Sequence, residues 1–287
     1  MKATRIKRVV RLLLILGVVY LSAIACLAFK YVHPTRFSVV KPAGMEVVDL
    51  TAAEGDGGPI RLWVKRPNGP IKGAFVLVHG YGGSPTDWTG LSQVLASQGY
   101  LCVIPHMPGH AESPDNTVQF GDRESKVVVA SALWVKKHAP KARVMAHGLS
   151  LGGASVWLAA ERRPDLFAAI GSEGAFPNFA EASQAYLGPG ATILAPVIPL
   201  GSRMEGVDTS TLVPERAAAS WRGKPALVIH GENDKLFPRS FGERLAKAAG
   251  VKLWLVPRAE HAKAMRGHLD EIAKRLVLTI DGRLDRQ

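Results

Sequence analysis

Gly148-Leu149-Ser150-Leu151-Gly152 sets a serine in the middle of a turn built from small residues. An apolar run at 143–146 precedes it and a helical pattern begins at 151. A serine on a tight strand-to-helix turn presents its hydroxyl above the sheet, and such a turn leaves no room for side chains two residues either side of the nucleophile. Gly148 and Gly152 meet that need, and Gly153 adds further room. Ser150 can then attack a carbonyl, provided a base takes its proton and N–H donors receive the charge that develops. The N–H of Leu151, at the helix start, is one expected donor, assisted by the helix dipole.

The remaining parts of that chemistry are spread along the chain. His79-Gly80-Tyr81-Gly82-Gly83 leaves the apolar run 74–78, and its glycines let backbone approach a reacting carbonyl. The N–H of Tyr81 is the expected second oxyanion donor, with a plain glycine-rich turn as the alternative. His79 is read as a structural hydrogen-bonding residue. Asp234, in His230-Gly231-Glu232-Asn233-Asp234, is placed to orient a histidine and stabilise its charged form; Glu232 and Glu173 are its rivals. His261 is the expected general base, in the loop after the last strand-like run, whereas His268 falls within the following helical pattern. Serine, acid and histidine are separated by 84 and 27 residues. His106 and His110 are four apart, but Pro108 and Gly109 stand between them, so no helix aligns them as metal ligands. His147 is read as packing rather than reacting, and Trp88, Trp134 and Trp157 as core.

These residues need a scaffold, and the apolar patterning supplies one. Strands are expected at Ile60–Lys65, 74–78, 101–104, 143–146, 168–170, 226–229 and 252–256. The continuous apolar run at 74–78 is what a strand covered on both faces requires. Ser84 can cap a helix with Pro85 first and Asp87 third; Trp88, Leu91, Val94 and Leu95 share one face and Gly99 closes it. Further helices are expected at 123–138, 151–163, Arg239–Ala249 and 263–278, with proline or glycine at the ends of the first three. Alternation of this kind implies an α/β fold with a mostly parallel sheet flanked by helices. Residues 174–222 interrupt it with five prolines and an apolar patch from Ile193 to Leu200. They are read as a small cap insertion, which either lines an acyl pocket or packs down on the body.

The N-terminus has a different character. Of the net charge of +12, seven positive charges lie in residues 1–36, and the first acidic residue is Glu46. Residues 12–29 carry no charge, long enough to cross a bilayer as a transmembrane helix with help from residues at each end. Five basic residues precede this stretch, which places residues 1–11 in the cytoplasm and the remainder outward, periplasmic or extracellular. A cleaved signal peptide ending at Ser22-Ala23-Ile24-Ala25, giving a secreted protein, and a lipoprotein with lipidated Cys26 are the alternatives. The chain thus divides into an anchor, 1–36, and a catalytic domain, 37–287, with 30–45 as the linker. The basic excess belongs largely to the anchor, and no aromatic-interleaved basic stripe or zinc-finger spacing points to nucleic acid. Cys26 and Cys102 are too differently placed to form a disulfide framework.

The runs Val76-Leu77-Val78-His79-Gly80-Tyr81-Gly82-Gly83, Pro108-Gly109-His110-Ala111-Glu112-Ser113, Gly148-Leu149-Ser150-Leu151-Gly152-Gly153 and His230-Gly231-Glu232-Asn233-Asp234 resemble the α/β-hydrolase superfamily. The flavour is that of the serine aminopeptidase S33, monoacylglycerol lipase and carboxylesterase group. The resemblance spans roughly residues 60–280, and its order of nucleophile, acid and histidine is the one seen here. Three positions depart from that group: it often has Asp where His106 stands, Gly where Ala111 stands, and Gly-His where Glu260 precedes His261. The resemblance implies a serine hydrolase acting on a small-molecule or lipid-like ester through an acyl-enzyme, with no metal or organic cofactor. A peptidase, amidase or acyltransferase using the same residues remains open, as does a non-catalytic binding protein on the same fold.

Overall fold

The structure is a computed structural model describing residues 2–54 and 57–284; residues 1 and 285–287, at the ends of the two expected domains, lie outside them. The chain begins with one long helix, α1 (Lys2–Val32). After a coil come β1 (Glu46–Leu50), β2 (Ile60–Lys65), β3 (Gly73–Val78), α2 (Thr89–Ser97), β4 (Tyr100–Pro105), α3 (Asp122–His138), β5 (Val144–Leu149), α4 (Leu151–Arg162) and β6 (Ala169–Glu173). Four short helices follow: α5 (Phe179–Leu187), α6 (Ala191–Leu194), α7 (Val197–Met204) and α8 (Pro214–Ser220). The chain closes with β7 (Ala226–Gly231), α9 (Arg239–Ala249), β8 (Leu253–Val256) and α10 (Met265–Ile280).

The strands form one eight-stranded sheet in the order β1-β2-β4-β3-β5-β6-β7-β8. β1 and β2 are antiparallel to their neighbours, and β4 through β8 run parallel. Successive residues of a strand point to opposite faces. Val76 and Val78 accordingly join a core with α3, α4 and α9, while Phe75 and Leu77 join another with α2 and α10. Every residue of β3, β4, β5 and β7 is buried, so the apolar runs of the sequence are central strands covered by helices on both sides. The expected α/β class and mostly parallel sheet are what the structure has.

Local differences have local causes. The edge strand β1 was not expected: four of its five residues are at least partly exposed, so it shows no apolar run. The Ser84 capping box is present, with Asp87 returning to the Ser84 N–H, but its first turn, Pro85–Trp88, is a 3-10 helix ahead of α2. Lys30, Tyr31 and Val32 belong to α1 rather than to the linker. α10 is kinked at Arg266, Gly267 and His268 and becomes regular only after them. Within 174–222, α8 packs between α4 and α9 as part of the body, and α7 packs against α1.

Candidate active site

Parallel strands point their carboxyl ends at one edge of the sheet, and loops leaving that edge can bring distant residues together. Ser150 follows β5 directly, Tyr81 lies three residues past β3, Asp234 three past β7, and His261 five past β8. The serine backbone sits at φ 52° and ψ −116°, a conformation rare for a residue with a side chain. Its surroundings hold it there: the Ser150 N–H donates to the Glu173 carbonyl at 2.8 Å. The flanking glycines are required by contact. A Cβ on Gly148 would lie 2.3 Å from the Gly152 carbonyl oxygen, and one on Gly152 would lie 2.4 Å from that of Val78.

The three side chains singled out in the sequence form one hydrogen-bonded chain. His261 Nε2 lies 2.9 Å from Ser150 Oγ, and His261 Nδ1 lies 2.7 Å from Asp234 Oδ2. The other Asp234 oxygen accepts from the N–H groups of Leu236 and Phe237, each at 2.9 Å. Burial opposes ionisation of Asp234, but its bond to His261, the charge of that ring and the Phe237 N–H outweigh it, leaving the carboxyl below its ordinary pKa. An ionised carboxylate only accepts hydrogen bonds. The proton between Asp234 and His261 therefore sits on Nδ1, which leaves Nε2 free to accept from the Ser150 hydroxyl. The Phe237 ring meets the imidazole edge to face at 4.8 Å and fixes its plane.

The rivals stand elsewhere. Glu173 is buried beneath the site, accepts from the Ala264 N–H at 2.7 Å, and is pushed up to about 7 chiefly by burial, with the Asp234 charge adding to it. Glu232 accepts from the Arg258 N–H at 3.0 Å. His268 lies in the α10 kink.

Tyr81 and Leu151 flank the serine. Leu151 opens α4, where a backbone N–H has no acceptor within the helix. Gly80 is so close that a Cβ on it would come 3.2 Å from Ser150 Cβ, so this loop and the serine share one wall. Both residues line a cavity of about 620 Å³ with Ser150 and His261. Its other walls are largely apolar: Phe120, Phe176, Phe179 and Tyr186, Ile198 from α7, and Tyr31 from the end of α1. The apolar patch of the cap thus divides its roles. Ile198 faces the cavity, whereas Leu194 packs toward Ile24 and Ala28 of α1.

Two supports of the Tyr81 loop were not assigned from the sequence. His110 Nε2 accepts from the Gly82 N–H at 2.9 Å, and its Nδ1 donates to the Pro108 carbonyl at 2.7 Å. Burial holds this ring neutral, pushing its pKa down to about 4, so one nitrogen stays an acceptor. The Tyr81 hydroxyl donates to the Tyr31 carbonyl at 3.1 Å, which ties the loop to α1. The only sign of the first was the position of His110 in a Pro-Gly-His turn after β4; the second depends on a contact across 50 residues and left no sign. His79 has the structural part expected of it: Nε2 accepts from the Met107 N–H at 3.2 Å, and burial pushes the ring down to about 3.

Comparisons with known proteins agree with this fold. A family model for the alpha/beta hydrolase fold matches residues 73–193, which run from β3 through the nucleophile turn into the cap. The solved structure of the Pyrococcus furiosus esterase Pf2001 superposes with a TM-score of 0.71 at 17% identity, over 88% of this chain and 98% of that one. The chain has the α/β-hydrolase fold. A serine hydrolase involved in carbazole degradation has the same fold, with a TM-score of 0.60 at 17% identity, over 83% of this chain and all of that one. In sequence, this chain is 31% identical over 102 residues to the thermostable monoacylglycerol lipase of Bacillus sp. (strain H-257). That match covers 34% of this chain and spans 38% of the length of the relative.

Proposed function

We propose that this α/β-hydrolase chain is a serine hydrolase that cleaves carboxylic esters with an apolar acyl group, acylglycerol-like lipids among them. The observation that carries the reading is the hydrogen-bonded chain from Ser150 through His261 to a buried, ionised Asp234, opening on an apolar cavity. In this reading Ser150 Oγ attacks the ester carbonyl as its proton passes to His261 Nε2. Asp234 stabilises the imidazolium that forms. The N–H groups of Tyr81 and Leu151 receive the charge on the carbonyl oxygen. His261 then protonates the departing alcohol, and water, deprotonated by the same nitrogen, releases the acid from Ser150. The name of the monoacylglycerol lipase relative and the aromatic and aliphatic cavity walls favour an ester over an amide.

A fluorophosphonate probe tests the nucleophile directly. It is expected to label the intact protein at Ser150, and Ser150→Ala is expected to lose both labelling and ester turnover while melting at nearly the same temperature. Labelling that persists in Ser150→Ala overturns the assignment.

The cavity wall makes a second expectation. Ile198 is buried at the cavity edge, and a tryptophan there fills space an acyl chain would use. Ile198→Trp is expected to lower kcat/KM for dodecanoyl esters by about ten-fold or more, the discrimination that even one methylene in an apolar pocket can carry, while acetyl esters lose no more than about three-fold. An unchanged ratio of the two activities removes Ile198 from the acyl site.

The same reading holds the protein at a membrane through α1, with the cationic residues before Leu12 on the cytoplasmic side and the hydrolase domain on the other. α1 is long and apolar enough to cross a bilayer from Thr4 to Val32.

A further inference from the structure

The outer half of α1 does not stand alone. Ile24, Ala28 and Val32 recur every four residues along one face of the helix, and all three are buried. Their partner is α7: Ile24 and Ala28 cluster with Val197, and Gly201 lies so close that a Cβ on it would come 2.9 Å from Val32 Cγ2 and 3.2 Å from the Ala28 carbonyl oxygen. Small residues that let two backbones approach are how helices associate inside lipid. Lower on α1, the Tyr20 hydroxyl donates to the Ile193 carbonyl at 2.7 Å.

These contacts set the depth of the cap against α1. At 1.5 Å per residue, Tyr20 lies on the order of 13 Å along the helix from Phe29, the last residue of the uncharged stretch, and about half of a hydrocarbon core of roughly 30 Å. Tyr186, at the end of α5, meets Tyr31 edge to face at 5.8 Å, level with the upper end of α1. From there the chain passes through Gly188–Gly190 down to Ile193, level with Tyr20, and returns along α7 to Gly201, level with Ala28 and Val32. It descends beside α1 and comes back.

Composition follows the same path. No residue from Ala182 to Ser202 is charged, and Glu181 and Arg203 bound this stretch of 21. Within this stretch Ile193 is 65% exposed and Leu200 36%. Two large apolar side chains exposed on a charge-free hairpin are costly in water and favourable in hydrocarbon. Tyr31 and Tyr186 stand where aromatic residues collect at a membrane surface, and Lys30 and Arg203 follow at the level where cations reach the headgroups.

We propose that the hairpin from Tyr186 to Ser202 is embedded in the outer leaflet as a re-entrant segment packed on α1, with lipid acyl chains covering Ile193 and Leu200. This rests on the reading of α1 as a membrane span. Because Tyr186 and Ile198 also line the cavity, the embedded hairpin forms the wall through which an acyl chain reaches Ser150 from the bilayer.

Spin-label accessibility tests the depth without using turnover, so it is independent of the esterase assignment. The full chain, carrying Cys26→Ser to remove the exposed native thiol, is reconstituted in phosphatidylcholine nanodiscs; Cys102 is buried and is left in place. Nitroxides are attached at Leu16→Cys as the span reference, at Val40→Cys as the aqueous reference, and at Ile193→Cys and Leu200→Cys. Labels at 193 and 200 are expected to collide with oxygen over a water-soluble nickel chelate in a ratio close to that at 16 and several-fold above that at 40. Labels at 193 and 200 that match the label at 40, while 16 reports lipid, overturn the embedded hairpin and leave the span standing. A label at 16 that reports water removes the span and the hairpin with it.

Discussion

His261→Ala is expected to lower kcat for ester hydrolysis by on the order of 10⁶, as much as Ser150→Ala, and the double variant is expected to be no slower than either single one. Nucleophile and base act as a unit, so removing one leaves the other without a task. The geometry gives the physical reason. Ser150 Oγ has His261 Nε2 as its hydrogen-bond partner at 2.9 Å, and a neutral hydroxyl is too weak a nucleophile unless its proton leaves as the bond to carbon forms. Glu173, the rival carboxyl, accepts from the Ala264 N–H through one oxygen, and burial opposes its ionisation, so it does not stand in for the base. What remains in each variant is the pair of backbone donors and the cavity, which still bind substrate, so KM is expected to move little. The fold should survive, because the His261 side chain is partly exposed and, among the described residues, makes its hydrogen bonds to Asp234 and Ser150 alone. The measurement is kcat and KM for a chromogenic ester across the three variants, beside their melting temperatures. A double variant another thousand-fold below the singles would show the two residues working independently and would end the shared-proton mechanism.

How far the sequence reveals this molecule depends on how local each feature is. The central strands are legible because a strand buried on both faces must be apolar throughout, as Gly73–Val78 and Tyr100–Pro105 are. The nucleophile turn is legible because its steric demand falls on neighbours two residues away, Gly148 and Gly152. Asp234 and His261 are legible by their place after β7 and β8, since strand ends on one edge of a parallel sheet converge. β1 is hidden because an edge strand with one wet face need not be apolar. The start of α10 is hidden because the kink at Arg266, Gly267 and His268 breaks the backbone while leaving the apolar spacing of Ile272, Ala273 and Leu276 intact. The docking of α1 on the cap is the least legible feature. Its spacing of Ile24, Ala28 and Val32 is what any apolar helix shows, and the approach of Val197 and Gly201, some 170 residues away, is what gives that face a partner. The same contact changes what residues 1–36 contribute. Val32 joins the core, its carbonyl accepts from the Val118 N–H at 2.8 Å, and Arg36 bonds to the Ala111 carbonyl at 3.1 Å.

Asp234→Asn is expected to cost on the order of 10⁴ in kcat, less than loss of His261 but far more than loss of a surface charge. The side chain is 1% exposed and held at three points, so asparagine fits the space and its carbonyl oxygen can keep the Leu236 and Phe237 N–H bonds at the Oδ1 position. Its amide nitrogen must then face His261 Nδ1. An amide donates where a carboxylate accepts, so Nδ1 gives up its proton to become the acceptor and the ring proton moves to Nε2. That nitrogen now points a hydrogen at Ser150 Oγ and cannot take the serine proton. The loss is therefore one of tautomer as well as charge, and it differs from His261→Ala in one respect: raising the pH helps. At high pH the hydroxyl can lose its proton to solvent hydroxide, with the cavity and backbone donors still in place, so residual activity should climb as pH rises where the intact protein levels off. A pH profile of kcat from 6 to 10 for both proteins decides it. Asp234→Asn activity within ten-fold of the intact protein at pH 7 would show that Asp234 is a structural acid only, and that His261 takes its orientation from Phe237 and the surrounding loop.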